Sequence, residues 1–302
     1  MVKLPSGIDI NKLIQDLRVL SWEASDVLLH YSKLLKEFNC ENHILKNDDK
    51  DNPVTLADLK VNEIIIQNID QKYKNIPWEI LSEENVKLSD GNYNSECDWI
   101  WILDPLDGTK DFIQGSGNYA MHLALNYKKK PFLGIVLIPE KDELWFAYDN
   151  KVWCENKDGS KTKPKISKIK DLQEMTLVKS KNHGNKILDK LIKKIKLSKI
   201  LTMGSIGCKI ASIVRGESEI YISLSLPSKS SPKDWDLAAP EAILKASGGA
   251  ITNLDNQDLS YGKSDFQHGG VIIASNNKEN HKNICSQIKM AIKKYEIFPL
   301  DT

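Results

Sequence analysis

Trp99-Ile100-Trp101-Ile102-Leu103-Asp104-Pro105-Leu106-Asp107-Gly108-Thr109 is the stretch on which the reading of this chain turns. Its first five residues are bulky and apolar, the composition of a strand buried on both faces, and an acidic turn ends the run. Proline fixes φ and glycine tolerates unusual dihedrals, so both aspartates and the Leu106 carbonyl can be aimed at one point beyond the strand end. Such a point suits a hard cation such as Mg2+, which takes carboxylate and carbonyl oxygens and keeps positions that a phosphate can fill. If Gly108 and Thr109 open a helix, their free N–H groups favour an anion there.

Further acids extend the pattern. Glu83-Glu84 follows the apolar run ending at Leu81, so a second strand end can deliver carboxylates to the same place. Asp236 lies in Lys233-Asp234-Trp235-Asp236-Leu237-Ala238-Ala239-Pro240-Glu241, where it is expected to cap a helix with Pro240 in its first turn and to serve a metal as well. Carboxylates gathered in this way repel one another unless cations neutralise them. The chain has no G-x-S-x-G elbow, no H-E-x-x-H, no Walker A loop and no early G-x-G-x-x-G, which weakens serine-hydrolase, zinc-protease, P-loop and dinucleotide readings.

Around this centre the pattern alternates. Apolar residues at three- and four-residue steps predict a long helix from Asp9 to about Leu34, and a second runs from about Thr55 or Ala57 to Ile69. Strand signals follow at Tyr119–Asn126, Leu133–Ile138 and Glu143–Tyr148. Lys161–Asp171 is a candidate hinge, dividing a lobe of residues 1–165 from a lobe of residues 166–302. The second lobe shows strand signals at Met175–Val178, Ile210–Val214, Ile220–Ile222 and Gly270–Ala274. Its helices are expected at Asn185–Lys196, Leu237–Ala246 and the C-terminal end. The class is α/β.

Composition sets the limits. With 302 residues, 42 basic and 41 acidic side chains and a formal charge of +1, nothing marks a nucleic-acid or anionic-membrane partner. Only Arg18 and Arg215 are arginines, so phosphate recognition falls to lysines, hydroxyls and backbone amides. The five cysteines, Cys40, Cys97, Cys154, Cys208 and Cys285, show no metal or disulfide spacing and read as free cytosolic thiols. No apolar run reaches the ~18 residues of a membrane span, and a cytoplasmic protein is expected.

The ordered set Asp51, Pro53-Val54-Thr55-x-Ala57-Asp58, Glu83-Glu84, Asp104-Pro105-Leu106-Asp107-Gly108-Thr109, Trp235-Asp236 and Gly248-Gly249 resembles the inositol monophosphatase superfamily of Mg2+-dependent, lithium-sensitive phosphatases. Through Leu81-Ser82-Glu83-Glu84, Asp107 to Ile113 and Ser180-Lys181-Asn182-His183 it is most similar to the CysQ-type 3′(2′),5′-bisphosphate nucleotidases. The resemblance implies a layered α/β/α/β/α sandwich with the site between lobes. Glu83, Asp104, the Leu106 carbonyl, Asp107 and Asp236 match metal ligands for two or three Mg2+ ions, and Glu83 also counts as catalytic. Glu84 supports them from behind. Asp51 and Thr109 match the pair that orients a metal-activated water, which attacks phosphorus directly without a phosphoenzyme. The segment before Pro53 is one residue shorter than in related sequences, so Asp49 competes with Asp51 for that place.

The implied substrate is a small phosphate ester, adenosine 3′,5′-bisphosphate, hydrolysed at its 3′-phosphate to AMP in the service of sulfur assimilation. Residues matching Ser180, His183, Gly204, Ser205 and Lys209 line the nucleotide side, with Gly108, Thr109 and Asp236 next to the reacting phosphate. The loop from Pro227 to Lys233 adds two lysines. Inositol monophosphate or fructose 1,6-bisphosphate hydrolysis on the same centre, or a silent metal- or nucleotide-binding protein, are the competing readings. A monomer and a homodimer fit equally well.

Overall fold

The computed structural model describes residues 2–38, 45–46, 55–88, 97–182, 185–197, 199–226 and 229–299. Two helices come first, α1 (Ile10–Phe38) and α2 (Leu56–Lys72). Thr55 caps α2, accepting from the Ala57 and Asp58 amides while the Asp58 carboxylate accepts the Thr55 N–H. Strand β1 (Glu79–Ser82) runs into the short helix α3 (Glu83–Leu88). Strand β2 (Trp99–Asp107) runs into α4 (Thr109–Ile113). Strands β3 (Ala120–Tyr127), β4 (Lys130–Ile138), β5 (Glu143–Tyr148), β6 (Lys151–Glu155) and β7 (Lys161–Thr162) complete a seven-stranded sheet in sequential order. It is antiparallel except for the parallel pair β1–β2.

The second sheet has the order β11-β12-β10-β8-β9. Its strands are β8 (Thr176–Ser180), β9 (Lys199–Met203), β10 (Ile220–Ser225), β11 (Ala250–Asn253) and β12 (Gly270–Ser275). The helices of this half are α5 (Lys186–Ile195), α6 (Ile206–Val214), α7 (Asp234–Ala246) and α8 (Lys278–Lys294).

Three apolar cores stack these elements. Leu13, Leu17 and Leu28 of α1 and Val61 and Ile65 of α2 meet Trp101, Leu103, Leu123 and Leu125 on one face of the first sheet. The opposite face, with Ile100, Ile102, Ala124 and Val136, packs on α6 and α7, which in turn cover Val178, Tyr221 and Ala274 of the second sheet. The far face of that sheet, with Leu177, Ile222 and Ile273, is closed by Leu191 of α5 and Ile284 and Ile288 of α8. The layers therefore run helix, sheet, helix, sheet, helix, the sandwich that the resemblance implied. Trp99 and Trp101 belong to the core, as their alternation suggested.

Two local expectations are corrected. Ile210–Val214 is not a strand but the C-terminal part of α6, a helix buried on every side. A short run that is apolar all round carries no period to tell the two apart. Asp236 is not the N-cap of α7; Lys233 takes that place, and Pro240 sits in the second turn. Among the described residues, no helix is long and apolar enough to cross a membrane.

Candidate active site

The parallel pairing of β1 and β2 sets Ser82 opposite Leu103, so that ladder ends where Glu83 leaves β1 and Asp104 follows on β2. A β-bulge then decides where Asp107 points. Asp104 pairs with His122 and Asp107 with Ala120, so three steps along β2 span two along β3. In a regular strand, residues three apart face opposite sides of the sheet; the extra residue at Pro105-Leu106 turns Asp107 back toward Asp104. Proline is tolerated there because a bulge needs no ladder N–H. The Leu106 amide donates to Asp104 Oδ1 at 3.0 Å, and the Leu106 carbonyl accepts from Thr109 Oγ1 at 3.1 Å. Gly108, at φ +89°, makes the turn into α4; a Cβ there would lie 3.1 Å from the Asn118 carbonyl and the Ser205 amide.

The third acid comes from the other half of the chain. Asp236 is the third residue of α7, and its Oδ2 accepts the Lys233 N–H at 2.6 Å. The helix start is anchored by buried Asp234, which takes the Gly262 amide at 2.7 Å and pairs with His268 Nε2 at 2.8 Å. At Gly134 of β4 a Cβ would stand 2.6 Å from Ala242 Cβ and 2.7 Å from the Ala239 carbonyl, so glycine is what lets α7 lie this close to the sheet.

Carboxylate oxygens of Asp104, Asp107 and Asp236 all lie within 4.8 Å of one another. Glu83 is outside that triad, yet its charge reaches both Asp104 and Asp236. Burial pushes the Asp104 carboxyl well above the ordinary range, and the charges of Glu83, Asp107 and Asp236 push it further. Asp236 is raised to about 8 by burial first, then by Asp107 and Glu83. No lysine or arginine pairs with these three aspartates among the described residues. Oxygen donors that repel one another, joined by a nearby backbone carbonyl, fit a hard divalent cation.

Asp107 is held from behind. Its Oδ2 accepts the Ser205 hydroxyl at 2.7 Å, the Gly207 amide at 3.2 Å and the Ile206 amide, the exposed N–H groups at the start of α6. Ser205 also caps that helix by accepting the Cys208 amide, and it is fully buried, so it stands behind Asp107 and not on the cavity wall. His122 faces the same oxygen, with Nε2 at 3.3 Å and Nδ1 3.2 Å from the Trp235 carbonyl. Burial lowers its pKa against the pull of Asp107. Nδ1–H donation to Trp235 ties β3 to the start of α7.

Beside the triad opens a cavity of about 610 Å3, lined by Asp107 and Asp236 together with Lys179, Ser180, Lys181, Gly204, Lys209 and Lys229. Lys209 is buried, with its ammonium donating to the Gly204 carbonyl at 2.6 Å; burial pulls its pKa down although Asp107 lies near. Glu84 is buried behind Glu83, and burial raises its pKa. Lys87 reaches Glu83 Oε1 at 3.1 Å and Glu84 Oε1 at 2.8 Å. Asp49, Asp51 and His183 lie outside the described residues, as do Cys40, Pro227 and Ser228.

His122, Ser205 as a support for Asp107, and Lys87 escaped the sequence reading. His122 left one signal: it is the only titratable residue within Ala120–Asn126, on the strand paired with Asp104.

Comparison with known proteins gives the family and the fold. The family model described as the inositol monophosphatase family matches residues 11–293. A 3′(2′),5′-bisphosphate nucleotidase CysQ from Buchnera aphidicola subsp. Acyrthosiphon pisum is 33% identical over 236 residues, covering 76% of this chain and 83% of that protein. The CysQ of Salmonella typhimurium is 28% identical over 211 residues, covering 70% and 80%. Among solved structures, an IMPase from Thermotoga maritima superposes with a TM-score of 0.71 at 19% identity, over 94% of this chain and 99% of that one. The family match spans residues from α1 through α8, both sheets included: the chain belongs to the inositol monophosphatase family, a family of phosphatases.

Proposed function

We propose that the chain is a Mg2+-dependent 3′(2′),5′-bisphosphate nucleotidase that hydrolyses the 3′-phosphate of adenosine 3′,5′-bisphosphate to AMP and phosphate. Asp104, Asp107, Asp236, Glu83 and the Leu106 carbonyl would hold two or three Mg2+ ions. Bound there, Mg2+ neutralises phosphate charge and lowers the pKa of water. Thr109 spends its hydroxyl proton on the Leu106 carbonyl, which leaves its lone pairs free to accept from the attacking water. Asp51, or Asp49 in its place, is proposed as the partner in that orientation.

The observation that carries the choice of substrate is the set of lysines that shares a cavity with the acids. Lys181 and Lys229 line the same cavity as Asp107 and Asp236, Lys179 lines it while paired with Asp189 at 2.5 Å, and its volume of about 610 Å3 accommodates a nucleotide. A second phosphate matches such a set better than the uncharged hydroxyls of an inositol ring. We further propose that residues 1–165 and 166–302 act as two lobes, with Asp236 carried across from the second to complete the first.

Phosphate release with Mg2+ from adenosine 3′,5′-bisphosphate, inositol 1-phosphate and fructose 1,6-bisphosphate tests the assignment. The bisphosphate nucleotide is expected to give the highest kcat/KM, and lithium to suppress it. Preference for either sugar phosphate moves the chain to a sister activity; nucleotide binding without release makes it a silent binder.

The acids also predict a pH dependence. With a folded pKa of about 8 against an ordinary value of 3.8, Asp236 keeps its proton in the folded protein through a window where the unfolded chain has lost it. Stability in a chelator therefore falls as pH rises between those values. A cation that replaces the proton contributes most at the alkaline end. Melting temperatures from pH 5.5 to 8.5 are expected to fall in chelator and to flatten in excess Mg2+, and Asp236→Asn should reduce the slope in chelator. An unchanged slope in that variant would remove Asp236 as its source.

A further inference from the structure

We infer that Lys87 is a positioning residue that sets how tightly the acid cluster holds divalent cations, by competing for the Glu83 carboxylate. The inference rests on the metal reading above.

Lys87 lies one turn beyond Glu83 on α3, and its ammonium is shared between Glu83 and Glu84. Among the described residues no other ion pair reaches either glutamate. The two glutamates it holds belong to a wider acidic group: Glu83 acts on Asp104 and Asp236, and Asp58 beyond feels both glutamates. The pair is partly, not fully, open to solvent. The Lys87 side chain is 26% exposed, Glu83 17% and Glu84 4%, so its charge is only partly screened.

The start of α3 is tied to α2. Ser82 donates to Asn62 Oδ1 on α2, and Asn62 Nδ2 donates to Asn85 Oδ1 at 3.1 Å, so the helix that carries both glutamates and Lys87 is tied down at its start. Lys87 thus acts on Glu83 from one turn away on the same helix. An ammonium there does two things: it draws Glu83 toward α3, and it subtracts a positive charge's worth of attraction from any cation next to Asp104. Both effects have the same sign, toward weaker cation binding. Glu84, being nearly buried, keeps Lys87 in place whichever way Glu83 turns.

The experiment is titration of the full chain with Mn2+ alone, followed by electron paramagnetic resonance of free Mn2+, for wild type, Lys87→Met, Lys87→Arg and Lys60→Met. Lys60 pairs with Glu63 on the surface of α2 and controls for a general change in charge. Lys87→Met is expected to tighten Mn2+ binding about three- to tenfold. Lys87→Arg should keep the wild-type value, Lys60→Met should leave it unchanged, and added salt should narrow the gap for Lys87→Met. Lys87→Gln, a different uncharged side chain, is expected to shift affinity in the same direction as Met.

Unchanged or weaker binding in both uncharged variants, with circular dichroism spectra like wild type, overturns the inference. So does an equal tightening in Lys60→Met. If wild type itself fails to bind Mn2+, the metal reading falls first and the inference with it; if wild type binds and the Lys87 variants match it, only the inference falls.

Discussion

Asp104→Asn is expected to reduce phosphate release by about 1,000-fold, on the order of 4 kcal/mol of lost transition-state stabilisation, while making the protein more heat-stable in chelator. The two effects have one cause. Asp104 is buried, and its carboxyl is pushed far up by burial and by Glu83, Asp107 and Asp236. An amide removes that repulsion and keeps an oxygen for the Leu106 N–H, which now donates to Asp104 Oδ1 at 3.0 Å. It takes away the anionic donor that a cation requires. Melting temperature in chelator should rise by about 2 °C or more, and the added stabilisation by Mg2+ should shrink. Activity within tenfold of wild type would falsify the placement of Asp104 at the reacting centre. A variant that is inactive and also less stable in chelator would mean that its role in the fold outweighs charge relief.

Gly134→Val is expected to be the most damaging change that touches no acid. The nearest atoms to a Cβ at this position are Ala242 Cβ at 2.6 Å and the Ala239 carbonyl at 2.7 Å, with Ala239 Cα at 3.2 Å. None of these is the end of a flexible side chain, so α7 must move away from β4. Overpacking of this kind costs about 1–3 kcal/mol. The displaced helix carries Asp236, and its Trp235 carbonyl takes the His122 ring. Denaturation midpoints in urea should fall and kcat should drop about tenfold or more, whereas a change confined to stability would show that α7 can shift without moving Asp236. Ala242→Gly removes one of the two close contacts and should restore part of the loss, offset by about 1 kcal/mol for a glycine inside a helix.

The parts of the site that local chemistry determines could be read in the sequence. Asp104, Leu106, Asp107, Gly108 and Thr109 are consecutive, and the proline and glycine among them mark a turn at the end of an apolar strand. Even here the bulge that brings Asp107 round depends on pairing with β3, which no local pattern specifies. Glu83 and Asp236 were suspected from their places after an apolar run and at a helix start but matched to ligands only through resemblance, because the parallel pairing and the α7–β4 contact that deliver them are long-range. Ser205 looked like a phosphate donor for the same reason that it serves Asp107: a helix start favours whichever anion is nearest. His122 was hidden in an otherwise apolar strand. In the fold, α1 and α2 were legible from period alone, whereas α6 is surrounded by protein and reads equally well as a strand.

The position of α7 has a consequence during synthesis. The first sheet and its outer helices leave the ribosome well before Asp234–Ala246, yet Ile102, Ala124 and Val136 depend on α6 and α7 for cover. A nascent chain that ends before α7 therefore presents a greasy platform and an incomplete set of acids. Holding chaperones should engage the half-made protein at this stage, and co-expressed fragments split near residue 165 should be recovered together or not at all. Cleaving the chain between its sheets would not yield two workable enzymes, because the piece that seals the first sheet is encoded after the second has begun.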